Sequence, residues 1–524
     1  MASVPAAPRH AVVIGGSLAG LCAARALANH IPRVTVVDRD RFPDGPEVRA
    51  GVPQAHHLHV LITSGQRALD RLFPGLIAEL HDLGAVPVAH PTDILYLGTN
   101  GWRERFPATH RLVGASRELI DWTVRRRLLA DPRIRFLAGH EAIGLLPGPD
   151  GESIVGVALR PRPGGTGTST AGGTDAPAAD GADAPGHGGA EERVERLAAD
   201  LVVDASGRGS RTPDWLAALG FGRPAESRID AGLGYASRRY VLPPGTTDGW
   251  KNILVLPKPS VSSRGAVLYP IEHDRWMLTL GGLGAEVPPT DEAGFLEFIR
   301  TLRTPVLHQV LRDAKPDSPI HGFRRTSNHR RHYETMPRWP ANLLVVGDAA
   351  CAFNPVYGQG MSVAALAAVA LDEHLRAHPG VFGRTAQAAV AACAAGAWTI
   401  ATEADLRFTA APESRPGPAA RLAQWYRGRV SRVADRDQYV LRVLTDVLHL
   451  VRPPSALVRP GVAVRVLARP VRPPLAEPPP APGSPPHSSP VPSPGPAAEP
   501  PPPPAQSRPA DDGSGDGATR RLSG

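Results

Sequence analysis

Two glycine-rich turns, each paired with an aspartate at a strand end, are the residues of this chain whose types and spacing could do chemistry. The first turn is Gly15-Gly16-Ser17-Leu18-Ala19-Gly20. It follows the apolar run 10–14 (HAVVI) and leads into the Ala/Leu-rich stretch 18–30, the pattern of a buried strand that turns directly into a helix. Glycines there permit a tight turn and close strand–helix packing, so a pyrophosphate can rest on the positive helix N-terminus. Asp38 ends the next apolar run, 33–38 (RVTVVD), eighteen residues after Gly20, where a carboxylate can accept hydrogen bonds from a ribose. Ser17 stands where the usual G-x-G-x-x-G has its second glycine, a small substitution that weakens the motif. Taken alone, this half of the chemistry serves NAD or FAD equally.

The second turn decides between them. Residues 343–362 read LLVVGDAACAFNPVYGQGMS: a buried strand, Gly347-Asp348, then Pro355, then Gly358-Gln359-Gly360-Met361 opening a helix over 358–376 that is apolar on nearly every side. Asp348 at a strand end can bond the sugar-alcohol chain of a flavin. The 358–360 turn aims backbone N–H groups and a helix dipole at whatever lies above it. That suits the N1–C2=O edge of an isoalloxazine, which gains negative charge on reduction.

Together these motifs resemble the FAD-binding fold of the class A, aromatic-hydroxylase-like flavoprotein monooxygenases, with geranylgeranyl reductases and flavin halogenases as relatives. Arg49-x-Gly51-Val52-Pro53-Gln54 followed by His57 and His59 looks like the polyether-type epoxidases and related bacterial FAD oxidoreductases. The stretch Asp204-Ala205-Ser206-Gly207-Arg208-Gly209-Ser210 is similar to the middle motif of the family, with Ser206-Gly207 where many members carry Asp-Gly. Arg117, in Ser-Arg-x-x-Leu, matches the helix arginine that lies beside FAD in the family. The resemblance spans roughly 8–375 strongly, and 398–405 and 436–468 more weakly. It implies FAD as cofactor, held by Gly15, Gly16, Ser17, Gly20, Asp38, Arg39, Arg49, Arg117, Asp348, Pro355, Gly358, Gln359, Gly360 and Met361, with NAD(P)H as a transient co-substrate. It further implies a C4a-hydroperoxyflavin that passes its distal oxygen to the substrate, by hydroxylation or epoxidation. Such chemistry belongs to the cofactor and demands no acid–base triad; none is evident, and no catalytic residue is named. An FAD-dependent prenyl or geranylgeranyl-type reductase shares the fold and the FAD motifs and stands as the alternative. A non-catalytic lipid-escort protein on the same fold is the minor one.

The elements that must position these residues follow from hydrophobic periodicity. The fold class is α/β: an FAD-binding Rossmann-like domain of the glutathione-reductase type, an antiparallel-sheet substrate domain and a helical C-terminal part. The FAD-binding domain is expected over 8–85, 114–230 and 331–383, interrupted at 161–193 by a flexible Gly/Ala/Thr/Ser/Asp-rich insertion. The substrate domain is expected over 86–113 and 231–330, where alternating runs such as 266–271 and 276–280 mark strands with one covered face. A helical region over 384–470 precedes a disordered, Pro-rich tail over 471–524. Substrate contacts by residue character are Trp102, Tyr235, Tyr269, Trp276 and Phe323. With no charged cluster specific to a substrate, an apolar small molecule fits better than a phenolic acid: polyketide- or terpenoid-like, of the kind made in secondary metabolism.

Composition bounds the rest. The chain has 524 residues, 58 prolines and a formal charge of +8, with arginine supplying nearly all the positive charge. That bias reads as compositional, and no nucleic-acid partner is expected. Cys22, Cys351 and Cys393 form no short-spaced pair, which points to a reducing cytoplasm. Cys351, near the flavin strand, reads as a small buried hydrophobe. His56, His57 and His59 match no metal-ligand spacing, so no metal is expected. The run 437–451 is an amphipathic helix followed by arginines; packing on the body is its default, and peripheral membrane contact is the further partner it could serve. Oligomeric state is not encoded in any feature of the sequence.

Overall fold

The apolar run at the amino terminus forms β1 (His10–Ile14), buried at every position. It passes through Gly15 into α1 (Leu18–Leu27), and the chain returns as β2 (Arg33–Asp38). These belong to a five-stranded parallel sheet, ordered Leu343–Val345, Leu201–Asp204, β1, β2, Ile134–Ala138. Such a sheet needs cover on both faces, and the alternation along β1 divides the cover in two. Ala11 and Val13 enter a core shared with α1 and the helices Thr63–Leu72, Arg117–Leu129 and Gly360–Ala377. Val12 and Ile14 enter a second core, shared with the three-stranded antiparallel meander His140–Pro147, Ile154–Pro161 and Glu195–Ala198. The computed structural model describes residues 8–162, 193–247, 249–258, 261–324, 326–409 and 417–482. Most of the expected insertion at 161–193 lies outside the described residues.

Several elements around the sheet take definite form. Ser116 caps the helix Arg117–Leu129, its Oγ accepting from the Leu119 N–H at 3.1 Å. The helical stretch after residue 60 divides into Thr63–Leu72 and Leu76–Asp82 around Pro74 and Gly75. The substrate sheet is seven-stranded and mostly antiparallel, with long central strands Leu233–Val241, Arg275–Leu283 and Gly265–Ile271. Ile94–Leu97 joins its far edge parallel to Asn252–Val255. The flanking strands Val86–His90 and His110–Gly114 pair instead with each other, so 86–113 splits between two sheets.

Two boundaries differ from expectation. The helix Arg384–Ala392 belongs to the FAD-type core: Ala386 and Val390 pack there. Gln387 caps the edge strand, bonding Val345 through its N–H (2.8 Å) and its C=O (3.0 Å). An edge strand exposes unpaired backbone groups, and one side-chain amide satisfies both here. The Pro-rich tail is also not free from its first residue. Leu475 bridges to Trp102 and packs into the substrate-sheet core, because an apolar side chain among prolines finds an open apolar edge. Residues 483–524 lie outside the described residues.

The same alternation corrects three of the proposed substrate contacts. Trp276 pairs with Tyr240, five residues from Tyr235 on the strand and therefore on the opposite face. It packs beneath the helices Glu292–Arg300 and Val306–Leu311, edge-to-face with Trp250 at 5.9 Å. Trp102 is in that same core. Tyr269 is on the other face but far along it, fully buried among Val88, Ile94 and Leu112. Replacing Trp276 by alanine is therefore expected to lower unfolding stability by about 3–5 kcal/mol, the range for a large buried aromatic, while leaving flavin affinity unchanged. Urea unfolding alongside flavin titration separates the two.

Candidate functional site

The parallel strands end at one cleft of about 420 Å³, within the roughly 300–1,000 Å³ of small-molecule sites. The carboxyl ends of β1 and β2 supply Ile14, Gly15, Val37 and Asp38; the first turn of α1 supplies Ser17, Leu18 and Ala19. From the other motif come Gly347, Asp348, Pro355, Gly358, Gly360 and Met361, and between them stand Arg39, Arg49 and Arg117. The two glycine turns, far apart in the chain, thus face the same space.

At the first turn the packing explains the glycines. Gly15 has φ +103°, and a Cβ there would lie 2.5 Å from the Ala205 carbonyl oxygen; at Gly20 it would lie 1.8 Å from the Gly15 oxygen. Gly16 and Gly20 therefore back the turn instead of lining the cleft. Gly16 donates its N–H to Asp38 Oδ2 at 2.6 Å, and Asp40 donates to Oδ1 at 2.8 Å. A carboxylate has about four acceptor positions, so Asp38 keeps capacity for a ribose.

Ser17 does not cap the helix it begins. Its hydroxyl instead accepts from Arg117 Nη2 at 2.9 Å, while Arg117 Nε is tied to Asp121 at 2.8 Å. The missing second glycine is thereby accommodated: the side chain is held aside and the first helical N–H groups have no side-chain cap.

Arg49 is the sharpest indication of a bound group. It is buried, stacks over Phe42, donates Nη2 to the Gly16 oxygen at 2.9 Å, and lies 3.3 Å from Asp38. That contact is made by Nη1, which is ion-paired with Asp38 and, at 3.8 Å, with Asp40, and makes no hydrogen bond of good geometry to the protein. An anionic or ribose oxygen in the cleft would satisfy it. At the second turn, the helix Gly360–Ala377 also lacks a side-chain cap, and a Cβ on Gly360 would meet no protein atom within 4 Å. Burial raises the Asp348 carboxyl above its ordinary range, partly countered by Arg208 and Arg117. A dinucleotide with a flavin ring fits these donors: phosphates at α1, ribose at Asp38, sugar-alcohol at Asp348, ring at Gly358–Met361. Arg39 is exposed at the cleft mouth. Gln359 is the exception, since its amide turns away and donates to the Leu448 oxygen at 3.2 Å.

The cleft lining also has an aromatic and aliphatic part, with Arg208 as its charged neighbour. Tyr235 and Phe323, paired across the substrate sheet, line it together with His57, Leu58, His59, Val60 and Phe353. His57 Nδ1 meets Ser237 Oγ at 2.8 Å, and His59 Nδ1 meets the His57 oxygen at 3.0 Å. Burial, then the neighbouring His321 and His56, lowers His57 to about 4; burial, then Arg117, lowers His59 to about 3. Both imidazoles are neutral near pH 7. His56 stacks on His321 at 3.8 Å, and no metal-binding group of three His, Cys, Asp or Glu exists among the described residues. Cys351 is buried and does not line the cleft.

Three residues that sequence reasoning did not single out hold the site together. Arg208, in the middle motif, donates to the Ser327 oxygen at 2.6 Å and the Phe353 oxygen at 2.8 Å, clamping the flavin segment. Asp204, wholly buried, accepts from Ser206 N–H at 2.8 Å and Thr212 Oγ1 at 2.7 Å, ordering the turn in which the usual Asp-Gly is replaced. Asp405, on the helix Ala395–Thr409, accepts from Asn354 (3.1 Å), Asn328 (2.6 Å) and Tyr357 (2.6 Å), and Asn354 in turn accepts from the Tyr235 hydroxyl at 2.7 Å. The only sequence signal for Asp405 was its place in the weaker similarity at 398–405.

The fold is similar to those of solved flavoprotein oxygenases. The p-nitrophenol 4-monooxygenase PnpA from Pseudomonas putida DLL-E4 superposes with a TM-score of 0.56 at 16% identity, over 84% of this chain and 98% of that one. The probable FAD-dependent monooxygenase pqsL from Pseudomonas aeruginosa gives 0.52 at 17% identity, over 75% and 93%. In sequence, the chain belongs to the family of Protein Rv3254 of Mycobacterium tuberculosis (strain ATCC 25618 / H37Rv), to which it is 35% identical over 384 residues, 70% of this chain and 73% of that protein. No family model matches it.

Two outcomes follow from the site. Arg49→Met is expected to weaken FAD binding about tenfold to a hundredfold, the value of one charged hydrogen bond of about 1.5–3 kcal/mol; titration of the apoprotein with FAD measures it. For the histidines the sign is set by lowered native pKa values. Below about 6.5 the unfolded chain takes up protons that native His57 and His59 refuse. Stability therefore falls as pH drops from 6.5 toward 4 for His57 and toward 3 for His59. His57→Asn should remove up to about 1.4 kcal/mol per pH unit from that slope in urea titrations between neutral and acidic pH.

Proposed function

We propose that the protein is an FAD-dependent monooxygenase, a hydroxylase or epoxidase, that uses NAD(P)H and O2 to oxygenate an apolar, polyketide- or terpenoid-like small molecule. The observation that carries this reading is the division of one cleft into two environments. Around the two glycine turns it offers arginines, aspartates and uncapped helix ends; its lining also offers Tyr235, Phe323, Phe353, Leu58, Val60 and two neutral imidazoles, with Arg208 bonded to the Phe353 oxygen. Bound FAD supplies the electron transfer and oxygen activation. The chain's own residues hold and orient: Arg49, Asp38 and the α1 terminus take the adenosine diphosphate half, and Asp348 takes the sugar-alcohol. The N–H groups of the helix beginning at Gly360 stabilise negative charge on the reduced ring. The aromatic and aliphatic lining excludes water and favours a largely apolar substrate. Tyr235, fixed through Asn354 to Asp405, gives one rigid aromatic wall beside Phe323. The neighbour PnpA is a p-nitrophenol 4-monooxygenase, which supports the reaction class and leaves the substrate of this chain to its own cleft.

The test is oxygen stoichiometry. With NAD(P)H and a panel of apolar polyenes and polyketides, substrate-stimulated oxygen consumption is expected, with one labelled atom from O2 in the product. Product formed equally well without oxygen would replace this reading with the prenyl-reductase one. Tyr235→Phe should leave FAD affinity intact and lower coupling of NAD(P)H oxidation to product by a few-fold, through loss of the Asn354 bond of about 1 kcal/mol.

A further inference from the structure

We propose that the C-terminal helices form a peripheral docking face for an anionic lipid surface. The segment 417–472 carries eleven arginines against three aspartates, an excess equal to the formal charge of +8 of the entire chain. The three aspartates are buried and paired: Asp435 with Arg103 at 2.9 Å, Asp446 with Arg452 at 3.0 Å, and Asp437 with Arg469. What this part shows to solvent as charge is therefore arginine. The positive charge that composition spreads across the sequence is concentrated here.

The apolar pattern points the same way. In the helix Pro418–Ala434, Tyr426, Val430 and Val433 face a local core. The same stripe, followed back one turn, is Leu422, which is 65% exposed, beside Trp425 at 48%. The helix Pro460–Ala468 is apolar on two sides; Val462 and Val466 are buried, but Val464 and Leu467 are 64% and 54% exposed. Arg429 joins the two helices: its guanidinium lies 5.9 Å from the Trp425 ring and donates to the Leu467 and Arg469 oxygens at 3.1 and 3.0 Å. Exposed Arg421, Arg459, Arg469 and Arg472 belong to the same helices and their flanks.

Exposed Trp, Leu and Val interspersed with arginine match the interface of a bilayer, where rings and aliphatic chains enter the acyl boundary and guanidinium groups meet phosphates. A polyanion such as nucleic acid would match the charge but leave the apolar side chains in water. No helix among the described residues is long and apolar enough to cross a membrane, so the contact is peripheral. The location differs from the one amphipathicity alone points to. In the helix Gln438–Leu448, Val440, Leu441, Val443 and Val447 are covered by the same local core, leaving no apolar stripe for lipid.

The experiment is flotation of the full-length holoprotein with vesicles of phosphatidylcholine alone, or of phosphatidylcholine and phosphatidylglycerol in equal parts. Binding is expected only to the anionic vesicles, and should fade as salt rises from about 0.1 M to 1 M and the screening length shrinks from about 10 Å to about 3 Å. Replacing Leu422, Trp425, Val464 and Leu467 together by serine should weaken binding by about tenfold or more, with the thermal midpoint and FAD content unchanged. Replacing Arg421, Arg459 and Arg472 by glutamine should weaken binding to anionic vesicles and flatten its salt dependence. Failure to float with anionic vesicles, or flotation indifferent to both sets, overturns the proposal. So does a self-association that the serine variant abolishes while vesicle binding persists, since the face would then pair two copies of the chain.

Discussion

Two helix N-termini without side-chain caps must open on the same cleft at the same level, and everything else about the site depends on that. Each terminus carries unsatisfied N–H groups and a partial positive charge. The tie that sets their level lies at the far end of the helices. Asp372 accepts from Asn29 Nδ2 and His30 Nε2, both at 2.9 Å, where α1 has just ended. Asn29 and His30 follow Leu18 by eleven and twelve residues, and Asp372 follows Gly360 by twelve. At 1.5 Å per residue the helix Gly360–Ala377 begins about 18 Å from the tie, and α1, which ends at Leu27 just before it, spans about 15 Å. The apolar faces of α1 and the helix Gly360–Ala377 fill the space between in one core.

That arrangement concentrates cationic character at one place, and the surrounding side chains are organised around it. Asp38, Asp40, Asp121 and Asp204 neutralise or anchor their surroundings through bonds to backbone N–H groups, hydroxyls and Arg117. Arg49 is left with one buried donor unused. Its guanidinium, ion-paired with Asp38 and Asp40 at the cleft, keeps donor capacity that an anionic or ribose oxygen would use. The opposite end of the cleft is made from the face of an antiparallel sheet and a loop of histidines that burial keeps neutral. One cleft thus combines groups suited to phosphates with an aromatic and aliphatic lining.

The C-terminal helices are more than an appendage to this body. Leu448 holds Gln359 at the flavin turn, and Asp405 gathers Asn354, Asn328 and Tyr357 beneath Tyr235. Changes in the helical region can therefore reach the flavin segment through hydrogen bonds, and an outer face in contact with a lipid surface would lie on the same helical part of the chain that braces the cleft.

The strand–turn–helix units, both glycine turns, Asp38 and Asp348 were legible in the amino-acid sequence, because each depends on local patterning: apolar runs and glycines at fixed spacing. The family resemblance rested on the same short-range features. Only the tertiary structure decided that Tyr235 and Phe323 reach the cleft while Trp102, Tyr269 and Trp276 do not, since sheet register and strand length assign faces and composition does not. It alone showed why Ser17 is tolerated, through an arginine a hundred residues away, and placed Arg208 and Asp405 against loops with which they share no sequence neighbourhood. Contacts of that kind arise when distant segments are brought within hydrogen-bonding distance, a juxtaposition on which the local periodicity of the chain carries no information.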